Sequence, residues 1–457
     1  VTTAIVQFNR DLRIHDHPAL RAATVSADRV VPLFVFDDGI LRGPFASPNR
    51  IRLLVESVHD LRAELEDRGA TLFVRRGDPA HEVMRIAAAT SATEVHVSRD
   101  HSRYAVLRQD RLRGLCVEAR LALGLHPGVA VIEPGAILPS GGGDHVRVFT
   151  PYWRRWAAAD RRRLLAAPRR VRVPTEVSPG RIPSPAALGA RQALSNLRPG
   201  GELAARARLS RWLAGGLSAY ADLHDALADD QTSHMSADVH FGSLSPLEVV
   251  TRAESKGGPG ADAFVRQMCW RDFHLQVLAA RPDLPTEDYR SGRQGIWRDD
   301  PSALEAWRTG TTGVPIVDAG MRQLRREGFM HNRARLIAAS FLTKDLLIDW
   351  RAGAAHFWRH LVDGDIANNA GNWQWVAGTG NDPRPNRLLN PIRQARRFDP
   401  DGAYVRRHVP ELRGVRGPAV HEPWTMDATA RAALDYPPPI ADHRDALERL
   451  RAGRRVT

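Results

Sequence analysis

The arrangement of short apolar runs in the first third of the chain restricts its fold more than any other feature. AIVQF begins at Ala4, RVVPLFVF at Arg29, TLFVR at Thr71 and EVHVS at Glu94, with VAVIE at Val129 just beyond. Each run is rich in β-branched or aromatic residues, and between them apolar residues recur at helical spacing. Strand and helix in alternation build a parallel sheet covered by helices, because parallel neighbours need a crossover rather than a hairpin. The clearest helix follows Ser47-Pro48, with Ile51, Leu54, Val55, Val58, Leu61 and Leu65 on one face. Ser47 is placed to cap it, Pro48 suits its first turn, and Gly69 suits its end. Residues 1–128 therefore predict an α/β domain with a parallel, Rossmann-like sheet.

Two further regimes follow. Residues 129–198 turn rich in Pro, Gly and Arg, as in PSGGGD, APRRVRVP and VSPGRIPSP, which predicts an extended linker wrapped over a surface. Over residues 199–457 strand-like runs nearly vanish. DAFVRQMCWRDFHLQVLAA, PIVDAGMRQLRREG and NRARLIAASFLTKDLLIDWRAG carry helical periodicity, so this domain is expected to be all-α. The stretch ADHRDALERLRAGRR reads as a short basic helix. A chain of 457 residues exceeds what one hydrophobic core usually serves, in keeping with two domains.

No run approaches the roughly 20 apolar residues that cross a bilayer, and the opening VTTAIVQFNR lacks the apolar stretch of a signal peptide. A cytoplasmic protein with no membrane contact is expected. Cys116 and Cys269 are the only cysteines and have no CxxC spacing, which argues against disulfides, zinc sites and four-cysteine clusters. No metal is expected. The formal charge of +13 comes almost wholly from arginine, since Lys256 and Lys344 are the only lysines. An excess of cations favours a polyanionic partner. A GC-rich genome also enriches arginine, although exchanging Lys for Arg does not by itself create an excess over Asp and Glu.

Neither GxGxxG after a strand nor GxxxxGK[ST] occurs, so the usual phosphate loops are absent. Thr232-Ser233-His234-Met235-Ser236 offers three hydroxyls and a run of backbone N–H groups, suited either to a pyrophosphate or to capping a helix. DGDIANNAGNWQW, from Asp363 to Trp375, crowds carboxylates, asparagines, glycines and two tryptophans together. A core does not tolerate so many polar groups without partners, and a solvated loop does not use two tryptophans. A lined polar pocket accounts for the segment, as does a Trp-rich helix junction whose asparagines act as caps. An isoalloxazine ring needs both chemistries it offers: hydrogen-bond partners along one edge and apolar or aromatic walls.

These motifs resemble, in order along essentially the whole chain, those of the photolyase/cryptochrome family. They are VQFNRDLRIHDHPAL, TSHMSADVHFGSLSP, CWRDFH, and Thr312 to Asp382 with DGDIANNAGNWQWVAGTGND at its end. The pattern is most similar to bacterial class I cyclobutane pyrimidine dimer photolyases. The resemblance implies blue-light-driven repair of cyclobutane pyrimidine dimers in UV-damaged DNA, by electron transfer from FAD in its FADH⁻ form to a flipped-out dimer. It also implies a monomer with no obligate protein partner. Tyr220, Thr232, Ser233 and Ser236 would hold the FAD ribose and phosphates, with Arg271 nearby. Asp363, Asp365 and Asn369 would line the flavin ring, Arg335 pairing with Asp363 and Asn369 facing N5. Trp373, Trp350 and Trp297 match an electron-transfer chain running from the flavin to the surface. Trp270 would stack on the lesion, Asn332 would lie between flavin and substrate, and Arg333 would grip phosphates.

Gln267 stands where cyclobutane-dimer enzymes usually carry a Glu, and where (6-4) photoproduct enzymes tend to have Gln. Asn332 stands where the (6-4) enzymes place a second histidine, so slower cyclobutane-dimer repair is expected rather than a different lesion. Leu336 replaces a substrate-contacting Met with a side chain of similar volume. ASPNRIRLL and VSRDHSRYAVLRQDR are most similar to members carrying an 8-hydroxy-5-deazaflavin antenna, favoured over methenyltetrahydrofolate, with Arg50, Arg52 and Asp100 as its contacts. Arg50 and Arg52 also read as plain exposed helix residues. The alternatives to cyclobutane-dimer repair are (6-4) photolyase activity and a cryptochrome-type photoreceptor. Asn369, where plant photoreceptors tend to have Asp, and the short stretch after Tyr436 favour repair.

Overall fold

The structure is a computed structural model that describes residues 1–44, 46–290, 297–382, 388–446 and 448. Most of the expected basic helix at the C-terminal end lies outside the described residues. Contacts divide the chain into two compact units, one of residues 1–221 with 233–283, the other of residues 222–232 with 284–457. This partition differs from the compositional one: of residues 202–280, all but 222–232 fall with the sheet.

The first unit holds five parallel strands, β1 (Thr3–Phe8), β2 (Arg29–Asp37), β3 (Phe73–Gly77), β4 (Glu94–Ser98) and β5 (Ala122–His126), in the order β3-β2-β1-β4-β5. Helices α1 (Pro18–Ser26), α2 (Pro48–Glu66), α3 (Pro79–Thr90) and α4 (Arg103–Glu118) make the crossovers, giving the Rossmann-like α/β half that the alternation predicts. Ser47 is the N-cap residue of α2, but its hydroxyl makes no capping bond, and Leu53 rather than Leu54 is buried on the helix face.

The expected strand VAVIE is not a strand. Val129 to Ile132 are buried, yet the Val131 and Ile132 N–H groups donate to Asp272 Oδ2 at 3.0 and 2.9 Å rather than to a neighbouring strand. The fifth strand is Ala122–His126 instead, an edge strand whose residues are partly or fully exposed and whose apolar signal is weak. The segment after it carries helix α5 (Phe149–Ala158) and then runs irregularly along the sheet. The Val74 N–H donates to Pro179 O at 2.7 Å, so this segment covers the β3 edge that would otherwise stand unpaired.

Helices α6 (Glu202–Gly215), α7 (Pro246–Glu254) and α8 (Gly258–Ala280) complete the first unit. The buried Arg13 guanidinium joins them to the sheet, donating to Gly242 O at 2.9 Å and Gly128 O at 3.0 Å. Gly242 has φ +71°, and a Cβ there would lie 2.0 Å from Arg10 O, so both conformation and space require glycine.

The second unit is helical around one core, with Trp307, Ile337, Leu342, Trp350, Phe357, Trp373 and Tyr404 among its buried members. Its main helices are α9 (Pro301–Thr309), α10 (Pro315–Glu327), α11 (Asn332–Ser340), α12 (Trp350–His360), α13 (Ile366–Ala377) and α14 (Pro391–Phe398). A π-turn, Phe341–Asp345, follows α11 directly. Among the described residues no helix is long and apolar enough to cross a membrane. Among the same described residues no group of three or more His, Cys, Asp or Glu is placed to hold a metal ion.

Candidate flavin and lesion site

A recess in the second unit gathers seven of the expected residues: Asn332, Arg335, Leu336, Asp363, Asp365, Asn369 and Trp373. Helical periodicity brings them together. On α11, Asn332, Arg335, Leu336 and Ala339 fall three or four residues apart and share a face. On α13 the same rule aligns Asp365, Asn368, Asn369, Asn372, Trp373 and Val376. Asp365 caps α13, its Oδ1 accepting from the Asn368 N–H at 2.9 Å and from Asn368 Nδ2 at 2.8 Å. The segment that reads as either a pocket or a helix junction is thus both, the cap residue itself lining the recess.

Two contacts set how closely α12 and α13 pack. Gly353 lets the Trp373 ring approach, since a Cβ there would lie 2.2 Å from the indole. Asn369 Nδ2 donates to Ala354 O at 3.1 Å, which spends one of the amide's two N–H groups on α12 and leaves its oxygen available to a ligand. Arg335 Nη2 pairs with Asp363 at 2.8 Å, and its Nε donates to Met330 O at 2.8 Å. The Asp363 side chain is only 4% exposed, so this pair sits in low dielectric and its field is felt strongly nearby. The walls are Phe357, Leu361, Ala339 and Val376. Apolar walls, an acceptor oxygen on Asn369 and a fixed arginine–carboxylate pair are a donor set that fits an isoalloxazine ring.

Trp373 and Trp350 are buried and Trp297 is partly buried against the same core. Trp350 Nε1 donates to Asp288 at 2.9 Å, and the Arg351 guanidinium lies 4.7 Å from the Trp350 ring centre. The ring partners of Trp373 include Phe357 at 4.9 Å and Trp307 at 6.0 Å. Trp307 lay outside the sequence reading because a lone tryptophan in an amphipathic helix is ordinary core. Asn368 and Asn372 were within reach of it, since counting by three and four from Asn369 finds both.

The remaining expected residues fall elsewhere. Thr232 belongs to the second unit, its hydroxyl donating to Asp230 at 2.9 Å. Ser233 and Ser236 belong to the first, where Ser233 Oγ accepts from the Met235 N–H at 3.5 Å and Ser236 opens a short helix, Ser236–Phe241. Tyr220 is buried against Trp212 and Phe264. Gln267, Trp270 and Arg271 occupy about one turn of α8, with Gln267 exposed and Trp270 and Arg271 partly buried. Arg271 Nη1 donates to Val129 O at 2.6 Å.

The buried Asp272 holds that turn by accepting from Val131, Ile132 and Trp156 Nε1, the last at 2.9 Å. Burial pushes its carboxyl up to about 6, against the pull of Arg271 and these donors. Four residues on, Gln276 both donates to and accepts from the Val146 backbone.

Arg333, in the second unit, is already engaged. It grips Asp225 through Nε at 3.2 Å and Nη2 at 2.5 Å, with its guanidinium 4.3 Å from the Phe398 ring centre. In the first unit Asp100 and Arg50 are buried, while Arg52 is partly buried and bonds to Glu56 and to Leu194 O. Arg50 is therefore not an exposed helix residue. Asp100 follows β4 and pairs with Arg10, which follows β1, at 3.4 Å. Strand order reverses between β1 and β4, where sheets of this kind bind ligands beyond their carboxyl ends. Burial works to raise Asp100, but Arg10 and the His101 N–H outweigh it and hold the carboxyl below its ordinary value.

Known proteins resemble this chain over its whole length. Residues 4–172 match the family described as DNA photolyase, and residues 264–455 the FAD binding domain of DNA photolyase. The chain is 50% identical to a deoxyribodipyrimidine photo-lyase of Streptomyces griseus, over 99% of both chains. A bacterial class III photolyase from Agrobacterium tumefaciens superposes with a TM-score of 0.91 at 33% identity, over 100% of this chain and 98% of the other. A cryptochrome from Synechocystis also reaches 0.91, at 29% identity over 99% of each. The chain belongs to the DNA photolyase family, its C-terminal part being the FAD-binding domain of that family.

Proposed function

We propose that this protein is a deoxyribodipyrimidine photo-lyase, a blue-light-driven enzyme that splits cyclobutane pyrimidine dimers in DNA. The observation that carries the reading is the recess where Asn332, Arg335, Asp363, Asp365, Asn369 and Trp373 converge. Held in that recess, FAD in its reduced anionic form would supply light-driven electron transfer to the cyclobutane ring, with no net redox change. The rest is the work of the chain. Asn369 offers its oxygen to the ring edge, Asp365 accepts at the pyrimidine end, and the Arg335–Asp363 pair sets a rigid local field around an anion. Tyr220, Thr232, Ser233, Ser236 and Arg271 hold the ribose and phosphates. Trp373, Trp350 and Trp297 are oxidisable rings that keep the cofactor reduced.

Trp270 stacks on the lesion, and Gln267, Asn332 and Leu336 complete its surroundings. A dimer pairs and stacks poorly, so extruding it costs least at damage. Arg333, through the Nη1 group not spent on Asp225, and α14 supply the phosphate grip. Arg393, Arg396 and Arg397 are exposed on one face of α14, and Arg393 and Arg397 have no carboxylate partner among the described residues. Such contacts hold a strand without reading its sequence. Residues 1–128 serve as the antenna domain and 129–198 as linker, with residues 199–457 as the catalytic domain. Arg50 and Asp100, with Arg52 beside them, seat an 8-hydroxy-5-deazaflavin in preference to methenyltetrahydrofolate. The protein acts as a cytoplasmic monomer.

The test is blue-light-dependent repair of a single-stranded oligonucleotide carrying one cyclobutane thymine dimer, with reduced flavin and a dark control. Repair abolished by Trp270→Ala supports the assignment. No repair by flavin-loaded, photoreducible protein overturns it. A (6-4) oligonucleotide repaired in its place would then point to the activity suggested by Gln267, and neither substrate repaired would point to photoreception.

A further inference from the structure

Within the first unit, Phe149 and Trp270 lie face to face, ring centres 3.6 Å apart and planes within 3°. Nothing fits between rings at that separation, so one face of the indole is closed. Phe273, 1% exposed, stands edge-on to both, 5.7 Å from Phe149 and 5.6 Å from Trp270. The Arg266 guanidinium lies 5.0 Å from the Phe149 ring centre and 5.4 Å from that of Trp153. Phe149 opens α5, and Asp272 clamps both α5, through Trp156, and the preceding Val131 and Ile132 onto the helix that carries Trp270. The pair is therefore held from both helices.

We propose that Phe149 is a positioning residue for lesion recognition: by backing one face of Trp270 it fixes the plane of the indole, so that the other face meets the dimer without reorientation. This rests on the assignment of Trp270 as the stacking residue. A tryptophan side chain free to turn about two torsions must be ordered when a lesion docks, and ordering it in advance removes that cost from binding. The gain falls on the dimer alone, because undamaged strand is held through phosphates.

The experiment measures dark binding of dimer-bearing and undamaged single-stranded oligonucleotides to flavin-loaded protein by fluorescence anisotropy. Four variants are compared: Phe149→Leu, Phe149→Tyr, Trp270→Ala and the Phe149→Leu/Trp270→Ala double. Phe149→Leu is expected to weaken dimer binding by about 2- to 12-fold, the range one aromatic pair supports, with undamaged DNA and flavin content unchanged. Phe149→Tyr keeps the ring and is expected to bind as the parent does. In the Trp270→Ala background Phe149→Leu is expected to be silent. Unchanged dimer affinity in Phe149→Leu, equal losses for both oligonucleotides, or additive losses in the double variant would each overturn the proposal. If Trp270→Ala itself leaves dimer affinity unchanged, the stacking assignment falls and this inference with it. A loss in Trp270→Ala with none in Phe149→Leu sinks the inference alone. Should Phe149→Leu lose its flavin, Phe149→Met, of similar volume and no ring, is judged by the same outcomes.

Discussion

Replacing Asp365 by Asn separates the two tasks of one side chain. Both bonds to Asn368 fall on Asp365 Oδ1, so the helix cap needs one oxygen, which asparagine also provides. Asn and Asp are about equal as N-caps, whereas alanine costs about 1 kcal/mol. Towards the flavin the substitution is not neutral, because it removes the negative charge and puts an NH2 where the second oxygen stands. An acceptor facing the ring's pyrimidine N–H becomes a donor facing a donor. A hydrogen bond to a charged group contributes about 1.5–3 kcal/mol, which corresponds to roughly 10- to 150-fold in dissociation constant. The assay is reconstitution of apo-protein with FAD, followed by flavin fluorescence, beside thermal melting of the apo-protein. Asp365→Asn should bind FAD at least tenfold more weakly and melt like the parent; Asp365→Ala should show the same binding loss and a lower melting temperature. If Asp365→Asn binds FAD within threefold of the parent, the assignment of Asp365 to the ring edge is wrong.

Trp350→Phe should abolish photoreduction of oxidised flavin while leaving repair by chemically reduced enzyme within twofold, read by flavin absorbance and dimer repair side by side. Gln267→Glu should speed cyclobutane-dimer repair several-fold in a single-turnover flash assay, since a carboxyl group can donate a proton to the dimer radical and an amide cannot. His356, half-buried beside His360 and several arginines, and His408, buried near Arg326 and Arg407, are both pushed down by desolvation to about 3 from an ordinary value near 6.5. With folded values depressed, the unfolded chain takes up protons below pH 6.5 that the folded one refuses. Stability is therefore full above that pH and lost as pH falls, by about 2 kcal/mol for each histidine at pH 5. Melting at pH 7 and pH 5 should show the drop, and His356→Phe should shrink it.

Much of the site was legible before the fold was. Asp365, Asn369 and Trp373 are spaced four residues apart, so one helix face follows from counting, and the Pro, Gly and capping signals around α2 are equally local. Arg335 and Asp363 were paired by resemblance, and the contact is there at 2.8 Å. Arg333 could be named from its motif, but its engagement with Asp225 and Phe398 could not. Those partners lie 108 and 65 positions away, and no periodicity links them.

By itself the sequence determined what is local: alternating strands and helices, hence a parallel sheet, then helices with polar and aromatic faces. Tertiary structure decided where an apolar run goes when a distant group competes for its backbone. VAVIE has the composition of a strand, but Asp272, 140 residues on from Ile132, takes the N–H groups a strand would have spent on a neighbour. The same carboxylate seats α5 against α8 and so lays Phe149 on Trp270. Burial and hydrogen bonding over such separations depend on which surfaces meet, and that is settled only when the chain has folded.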